Sequence, residues 1–130
     1  MKEEFGDDNQ QEERAWAAAR EAQLSVCQRF GVEPLLPVLG TKVGIALQTR
    51  GVEPLNAMRT QVEGGTCGWY IFWGPENTGE PEFFQPLHVE HLVNHCQILL
   101  PYLALPPGWW VQLAPGHEDV WFDPTSLEHS

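Results

Sequence analysis

The sequence predicts an α+β fold, with an antiparallel sheet that carries a helix on one face and an amphipathic helix that precedes this domain. Apolar residues recur at the helical period near the start of the chain and again in residues 87–100. The aromatic and apolar run at residues 68–73 (GWYIFW) is typical of a buried strand. Short strand patterns separated by Gly and Pro lie on both sides of the second helix. Segregated strands and helices of this kind indicate the α+β class.

The first predicted element is a helix over residues 10–30, after polar residues that are expected to fray. Gly31 follows at the position where a glycine commonly ends a helix. One face of the helix is defined by the helical period and consists of Trp16, Ala19, Gln23, Val26, Cys27 and Phe30. We therefore expect two parts, a helix with its linker over residues 1–36 and an α+β domain over residues 37–126.

Five strands are predicted in the second part. Residues 42–49 (KVGIALQT) and 56–62 (NAMRTQV) alternate moderately and are expected to pair with each other. Residues 68–73 are apolar on both faces, which predicts a central position in the sheet. Residues 109–114 and 119–123 flank a Pro-Gly turn, so they are expected to form a hairpin.

Charge is distributed unevenly along the chain. The formal net charge is −11, and no Lys or Arg follows Arg59, although nine carboxylates, all five His and five of the six Trp lie beyond it. Such a chain repels nucleic acid and anionic membranes and favours encounters with basic surfaces. No apolar run approaches the roughly 20 residues that cross a bilayer, and the acidic N-terminus lacks a signal-peptide core. We expect a cytoplasmic protein that binds another protein; simple solubility is the alternative explanation of the charge.

Motifs for catalysis are weak. The three cysteines, Cys27, Cys67 and Cys96, are widely spaced, so they predict buried thiols rather than a disulfide framework. A nucleophilic pair of Cys67 with a histidine is conceivable, but no motif places the two together. The carboxylates Glu118, Asp119 and Asp123 flank a strand and a turn, where solvated carboxylates are routine. No cofactor is predicted.

Three histidines offer an alternative function. His88, His91 and His95 lie within about 60° of one another on a helical wheel of residues 87–100. The i, i+4 spacing of His91 and His95 is one that binds zinc on one side of a helix. No distant cluster supplies an obvious fourth ligand, and histidines at a helix border also commonly hydrogen-bond nearby backbone. A metal-binding enzyme or sensor is therefore the alternative hypothesis.

The tryptophans and an acidic segment predict a protein interface. Strand alternation places Trp109 and Trp110 on opposite faces of the sheet, whereas Trp69 and Trp73 share a face. Residues 74–82 contain Gly, Pro and three Glu, which predicts an exposed acidic loop. Tryptophan is a favoured interface anchor and a carboxylate rim selects a cationic partner; a tryptophan-rich core is the alternative. The predicted partner-binding residues are Trp73, Glu76, Glu80, Glu82 and Trp110.

The second half of the chain resembles a known family. The segments that carry the likeness are CGWYIFWG at 67–74, PLHVEHL at 86–92, LLPYL at 99–103, PPG at 106–108 and EDVWFD at 118–123. They resemble the thirty-third numbered class of immunity proteins of bacterial polymorphic toxin systems, formerly a domain of unknown function. The likeness runs from Lys42 to Asp123 and leaves the N-terminal helix outside. The double tryptophan Trp109-Trp110 departs from the commoner pattern, in which Gly-Trp precedes a polar residue.

The resemblance implies a cytoplasmic, non-enzymatic protein that binds a cognate toxin domain and blocks its active site. Many such toxins are basic nucleases, so an acidic inhibitor mimics the charge of their phosphate substrate. The resemblance supplies no catalytic residue, metal or cofactor. A third hypothesis is a scaffold or regulatory domain whose N-terminal helix docks elsewhere through Trp16 and Phe30.

Overall fold

The computed structural model describes residues 2–62, 64–75 and 83–125, with side chains from residue 13 onward. These residues form one α-helix, six strands and three short 3-10 helices, an α+β fold as the sequence predicts. The helix is α1 (Lys2–Phe30), and the strands are β1 (Lys42–Ile45), β2 (Leu55–Arg59), β3 (Thr66–Trp73), β4 (Gln85–His88), β5 (Trp109–Ala114) and β6 (His117–Phe122). The 3-10 helices span Leu47–Thr49, Val89–Asn94 and Gln97–Tyr102.

The chain divides into two compact units. The first combines Met1–Pro37 with Glu90–Leu105, and the second combines Val38–Val89 with Pro106–Ser130. Helix α1 and the 3-10 helix Gln97–Tyr102 therefore belong to the first unit, and all six described strands belong to the second.

Helix α1 ends as predicted but begins earlier, at residue 2 rather than residue 10. The periodic apolar pattern begins only at Trp16. The helical turns before it are polar, so apolar periodicity could not predict them. Its end is a Schellman motif, in which Gly31 has a φ of +70°. The Gly31 N–H donates to the Gln28 carbonyl at 3.2 Å, and the Val32 N–H donates to the Cys27 carbonyl at 3.0 Å.

The predicted apolar face of α1 is buried or half-buried within the first unit. Gln23 and Cys27 are buried, and Gln23 Nε2 donates to the Leu100 carbonyl at 2.9 Å. Trp16 is half-buried, and its Nε1–H donates to the Glu90 carbonyl at 3.1 Å. One of the two side chains expected to anchor this helix to another molecule is therefore engaged within the chain.

The six strands form one sheet in the order β4-β1-β3-β2-β5-β6. Strand β3 lies inside the sheet between β1 and β2, which confirms the central position predicted for residues 68–73. Strands β1 and β3 run parallel, and the other neighbouring strands run antiparallel. The predicted pairing of residues 42–49 with 56–62 is wrong. Strand β3 lies between them, because a strand that is apolar on both faces is best buried with neighbours on both sides.

The prediction of a second helix over residues 87–100 is also wrong. Strand β4 occupies its start and pairs with β1, and two 3-10 helices follow, separated by the extended Cys96 (φ −155°, ψ 72°). The apolar residues recur at intervals of three as well as four, so they suit the three residues per turn of a 3-10 helix. The apolar side predicted for this segment is buried nevertheless, and it consists of Val89, Leu92, Cys96, Leu99, Leu100 and Leu103.

Strands β5 and β6 form the predicted hairpin. Ala114 pairs with His117, so that only Pro115 and Gly116 remain in the loop. Gly116 has a φ of +71°, a left-handed conformation that glycine adopts without steric cost. His117 and Glu118, which the sequence placed in the turn, therefore belong to the start of β6.

Candidate protein-binding surface

The register of the sheet sorts its side chains onto two faces, one of which is buried at its centre. Ile45, Ile71, Ala57 and Val111 are cross-strand neighbours along β1, β3, β2 and β5. Each of them is at most 1% exposed. The centre of this face is therefore part of the hydrophobic core, whereas Trp109 and Phe122 on the same face, in β5 and β6, keep part of their surface accessible.

The other face carries a row of large aromatic and thioether side chains. Tyr70, Met58, Trp110 and Trp121 are successive cross-strand neighbours along β3, β2, β5 and β6. All four side chains are half-buried. The indole rings of Trp110 and Trp121 stack with centroids 5.7 Å apart and an angle of 9° between their planes. We call these four residues the aromatic row.

Further aromatic contacts hold the Tyr70 end of the aromatic row. The Phe84 ring meets the Tyr70 ring edge to face, with centroids 5.2 Å apart. Tyr70 also lies against Gly44 of β1, where an added Cβ would come within 2.7 Å of the Tyr70 ring. The absence of a side chain at Gly44 therefore lets the Tyr70 ring lie close to β1. The stacked indoles of Trp110 and Trp121 form the other end of the aromatic row.

A second row on the same face is polar. Asn56, Gln112 and Asp119 are cross-strand neighbours along β2, β5 and β6. The buried Asn56 donates from Nδ2 to the Gly74 carbonyl at 2.9 Å and accepts from Gln112 Nε2 at 3.0 Å. Gln112 Oε1 lies 3.1 Å from His117 Nε2. These bonds fix Asn56 and Gln112 in position, and the exposed Asp119 lies two residues from Trp121 on the same face.

The predicted interface residues are only partly placed by this geometry. Trp73 is the cross-strand neighbour of Leu55 and Trp110 that of Met58. Positions 55 and 58 point to opposite sides of a strand, so the two half-buried tryptophans lie on opposite faces and do not form one patch. The three loop residues of the prediction lie outside the described ranges, namely Glu76, Glu80 and Glu82. The interface as a whole stays a prediction.

Three members of the aromatic row were not among the predicted interface residues, namely Tyr70, Met58 and Trp121. One signal was available for Trp121. If the hairpin loop consists of Pro115 and Gly116 alone, counting back along both strands pairs Trp110 with Trp121. No comparable signal paired Met58 with Trp110, because their strands are distant in sequence.

Arg59, the last arginine or lysine of the chain, is buried rather than exposed. Its side chain is 1% exposed, and its Nε–H donates to the Cys67 carbonyl at 2.9 Å. Its guanidinium carbon lies 5.7 Å from the ring centroid of Trp69, its cross-strand neighbour. Because no Lys or Arg follows it in the sequence, the surface contributed by residues after β2 carries no arginine or lysine charge.

The three cysteines are buried, as predicted. Burial raises the pKa of the Cys67 thiol above its ordinary value, although a backbone bond at Trp69, the charge of Arg59 and the Thr41 hydroxyl each act to lower it. A protonated, buried thiol is a poor nucleophile. The geometry therefore does not favour the nucleophilic pair that the sequence left open for Cys67.

We expect Cys67 to make the free energy of unfolding fall at alkaline pH. The pKa of this thiol in the folded protein lies above the free-thiol value of 9.0. The stabilisation that the protonated thiol contributes to the free energy of unfolding is therefore fully present below about pH 9 and is lost as pH rises through the folded pKa. Urea denaturation between pH 7 and pH 10 should show a shallower alkaline decline for Cys67→Ala than for the unsubstituted protein. Equal declines in the free energy of unfolding of the two proteins would show that other groups cause the loss of stability at alkaline pH.

The three histidines of the metal hypothesis lie on different backbone elements. His88 ends β4, His91 lies in the 3-10 helix Val89–Asn94, and His95 follows that helix. The i, i+4 spacing indicated a metal site only if these residues shared an α-helix, and residues 83–125 contain none. Lys42 is also the cross-strand neighbour of His88, and a positive charge there disfavours a cation. The spacing of these histidines therefore no longer favours a metal site, and the metal hypothesis stays a prediction.

The described residues include no helix that is both long enough and apolar enough to cross a membrane. Fold and surface together define a small acidic α+β protein, one sheet face of which has the aromatic composition typical of protein interfaces. The chain belongs to the Imm33-like domain family, whose model matches residues 22–123. No curated protein and no solved structure matches it.

This match confirms the predicted resemblance to the thirty-third class of immunity proteins and corrects its extent. The predicted likeness begins at Lys42 and leaves the N-terminal helix outside, whereas the matched range begins within α1. The structure supplies a physical reason. Gln23 and Cys27 of α1 are buried in the first unit, and Gln23 bonds to Leu100, which also lies within the match. The end of the helix is therefore a structural part of the family domain.

Proposed function

We propose that this protein is a non-enzymatic immunity protein that binds a cognate toxin domain in the cytoplasm and blocks its activity. Membership of the Imm33-like family carries the proposal, because an immunity family implies a toxin as the protein partner. The matched range includes residues of both compact units, so the proposal does not rest on one of them alone.

The distribution of charge supports a basic partner. The second unit contains nine Asp and Glu against Lys42, Arg50 and Arg59, which gives a formal charge of 3 − 9 = −6 with neutral histidines. Since Arg59 is buried, only two of these cations are exposed. A negative field of this kind raises association rates with a positively charged protein by about 10- to 1,000-fold and weakens with salt. A basic toxin domain would gain from that steering.

The direct test is neutralisation of a toxin domain. The probe is the C-terminal domain encoded by the gene immediately upstream, produced in bacterial cells under a repressible promoter. Co-expression of this chain should relieve the growth arrest, and the purified proteins should elute together from a sizing column. An unrelated protein of equal net charge serves as the control. Continued arrest and no complex at micromolar concentration would contradict the proposal.

The acidic loop is the part of the proposed interface that charge substitution tests best. We expect the triple variant E76Q/E80Q/E82Q to associate several-fold more slowly with that toxin domain at low salt and to show a flatter salt dependence, because steering depends on the charge near the contact. Stopped-flow fluorescence measures both quantities.

A matched variant separates the position of the charges from their number. E13Q/E21Q/E33Q removes three exposed carboxylates from the first unit and changes the net charge equally. We expect it to slow association less than the loop variant does. Equal effects of the two triple variants would show that net charge alone matters and that the loop is not at the contact.

A further inference from the structure

We propose that the aromatic row and Asp119 are the docking surface for the partner, and that they receive an arginine-bearing segment of it. This inference deepens the proposed function and rests on it. It names the face of the sheet that makes contact and the chemistry of the group that the face accepts.

The contrast between the two faces of the sheet is the first support. On the core face, Ile45, Ile71, Ala57 and Val111 are almost fully enclosed. On the other face all four members of the aromatic row keep part of their surface accessible. Tryptophan and tyrosine are over-represented among the residues that dominate binding energy, and methionine adapts its shape to a partner. A row of such side chains on a rigid sheet is pre-organised for protein contact.

The stacked indoles determine the kind of group that fits. Trp110 and Trp121 lie nearly parallel, 5.7 Å between centroids, and therefore present neighbouring aromatic edges and faces on one side of the sheet. An arginine guanidinium is planar, weakly hydrated and attracted to the face of an indole. The same protein already uses this contact internally, where the Arg59 guanidinium lies over Trp69.

Asp119 supplies the charge that makes the surface selective. It lies two residues from Trp121 along β6, roughly 7 Å away and on the same face. A carboxylate at that distance lets one guanidinium stack on the ring and donate to the carboxylate at once. Gln112, the cross-strand neighbour of Asp119, is held by the buried Asn56. The polar neighbour of Asp119 is therefore fixed in position.

Charge disfavours the other macromolecular partners for this face. Phosphate groups of nucleic acids or lipids require cations, and no residue of β5 or β6 is Lys or Arg. The cation in the neighbouring β2 is Arg59, which is buried on the core face with Trp69. The exposed Lys42 lies on the same face as the aromatic row, because it is two residues from Gly44, the neighbour of Tyr70. It belongs to β1, however, which three other strands separate from Trp121 in β6. A positively charged protein segment is the occupant that the surface complements.

A peptide titration tests the chemistry without the toxin. Octa-arginine is titrated into the ¹⁵N-labelled full chain, and the indole N–H resonances of the tryptophans are followed. We expect the resonances of Trp110 and Trp121 to shift more than that of Trp73, which lies on the other face, and octa-lysine of equal charge to bind several-fold more weakly. Unmoved Trp110 and Trp121 resonances while others shift would overturn the assignment.

Two neighbouring carboxylates provide the matched variants for the toxin domain of the neutralisation test. Asp119 and Glu118 are both exposed on β6, and strand alternation puts them on opposite faces. We expect Asp119→Asn to raise the dissociation constant several-fold and Glu118→Gln to leave it unchanged, although each removes one charge. Trp121→Ala should raise it by roughly 30-fold or more, with circular dichroism confirming that this variant is folded.

The outcomes separate this surface from the proposed function. If the unsubstituted chain does not bind the toxin domain, the proposed function fails, and the inference that rests on it fails as well. If the unsubstituted chain binds but Asp119→Asn matches Glu118→Gln and Trp121→Ala binds normally, the surface is overturned and the immunity function stands.

Discussion

Replacing Trp69 by alanine is expected to lower the free energy of unfolding by about 3–5 kcal/mol. Trp69 is 1% exposed in the central strand β3, so the substitution leaves a cavity that the sheet cannot close. It also removes the aromatic ring that lies over the buried Arg59 guanidinium, and the loss of that cation–π contact adds to the cost. Since small domains are stable by about 5–15 kcal/mol, urea denaturation should show a much lower midpoint.

Trp73→Ala is the matched control for this prediction. Trp73 lies on the same strand and the same face but is half-buried. Its removal should cost about 1–2 kcal/mol, because less apolar surface returns to water. Equal losses for the two variants would contradict the central role of Trp69, and Trp69→Phe should recover part of the stability because a ring is retained.

Replacing Gly68 by alanine is expected to cost about 3 kcal/mol. Gly68 has a φ of +90°, where a side chain is strained by about 1–2 kcal/mol. An added Cβ would also lie 2.5 Å from the Thr60 carbonyl oxygen, a backbone atom that cannot rotate away. The chain must then shift and disturb the bond from the Thr60 N–H to the Gly68 carbonyl (2.8 Å), which adds about 1 kcal/mol.

Gly65→Ala isolates the steric contribution. Gly65 has a similar φ of +83°, but an added Cβ there meets nothing within 4 Å. It should therefore cost only the left-handed strain of about 1–2 kcal/mol. Thermal or urea unfolding of the two variants side by side measures the difference, and equal losses would show that the contact with Thr60 is readily relieved.

Local patterns predicted the elements whose formation depends on neighbours in sequence. The buried face of α1 and its termination at Gly31 follow from periodicity and from the freedom of glycine at positive φ. The hairpin of β5 and β6 follows from two strand patterns around Pro115 and Gly116. The central place of β3 follows from its uniformly apolar composition.

Other elements were mispredicted because one sequence pattern fits two backbones. Residues 87–100 have apolar positions spaced by three and four, which suit an α-helix and 3-10 turns alike. The choice between them was made by the pairing of β4 with β1, a contact between segments about 40 residues apart. The helical spacing that suggested the metal hypothesis was lost with that helix, because His91 and His95 do not share an α-helical face. The hypothesis itself stays a prediction.

The sequence by itself determined the composition of this protein's surface: a net charge of −11, no cation after Arg59, and tryptophans concentrated in the same half. It also sufficed for the α+β class and the family. Only the tertiary structure decided which of these side chains lie together. It buried Arg59 against Trp69, separated Trp73 from Trp110, and aligned Trp110 with Met58 and Trp121. Side-chain alternation is a property of one strand, whereas register arises from hydrogen bonds between strands that the chain brings together only when it folds.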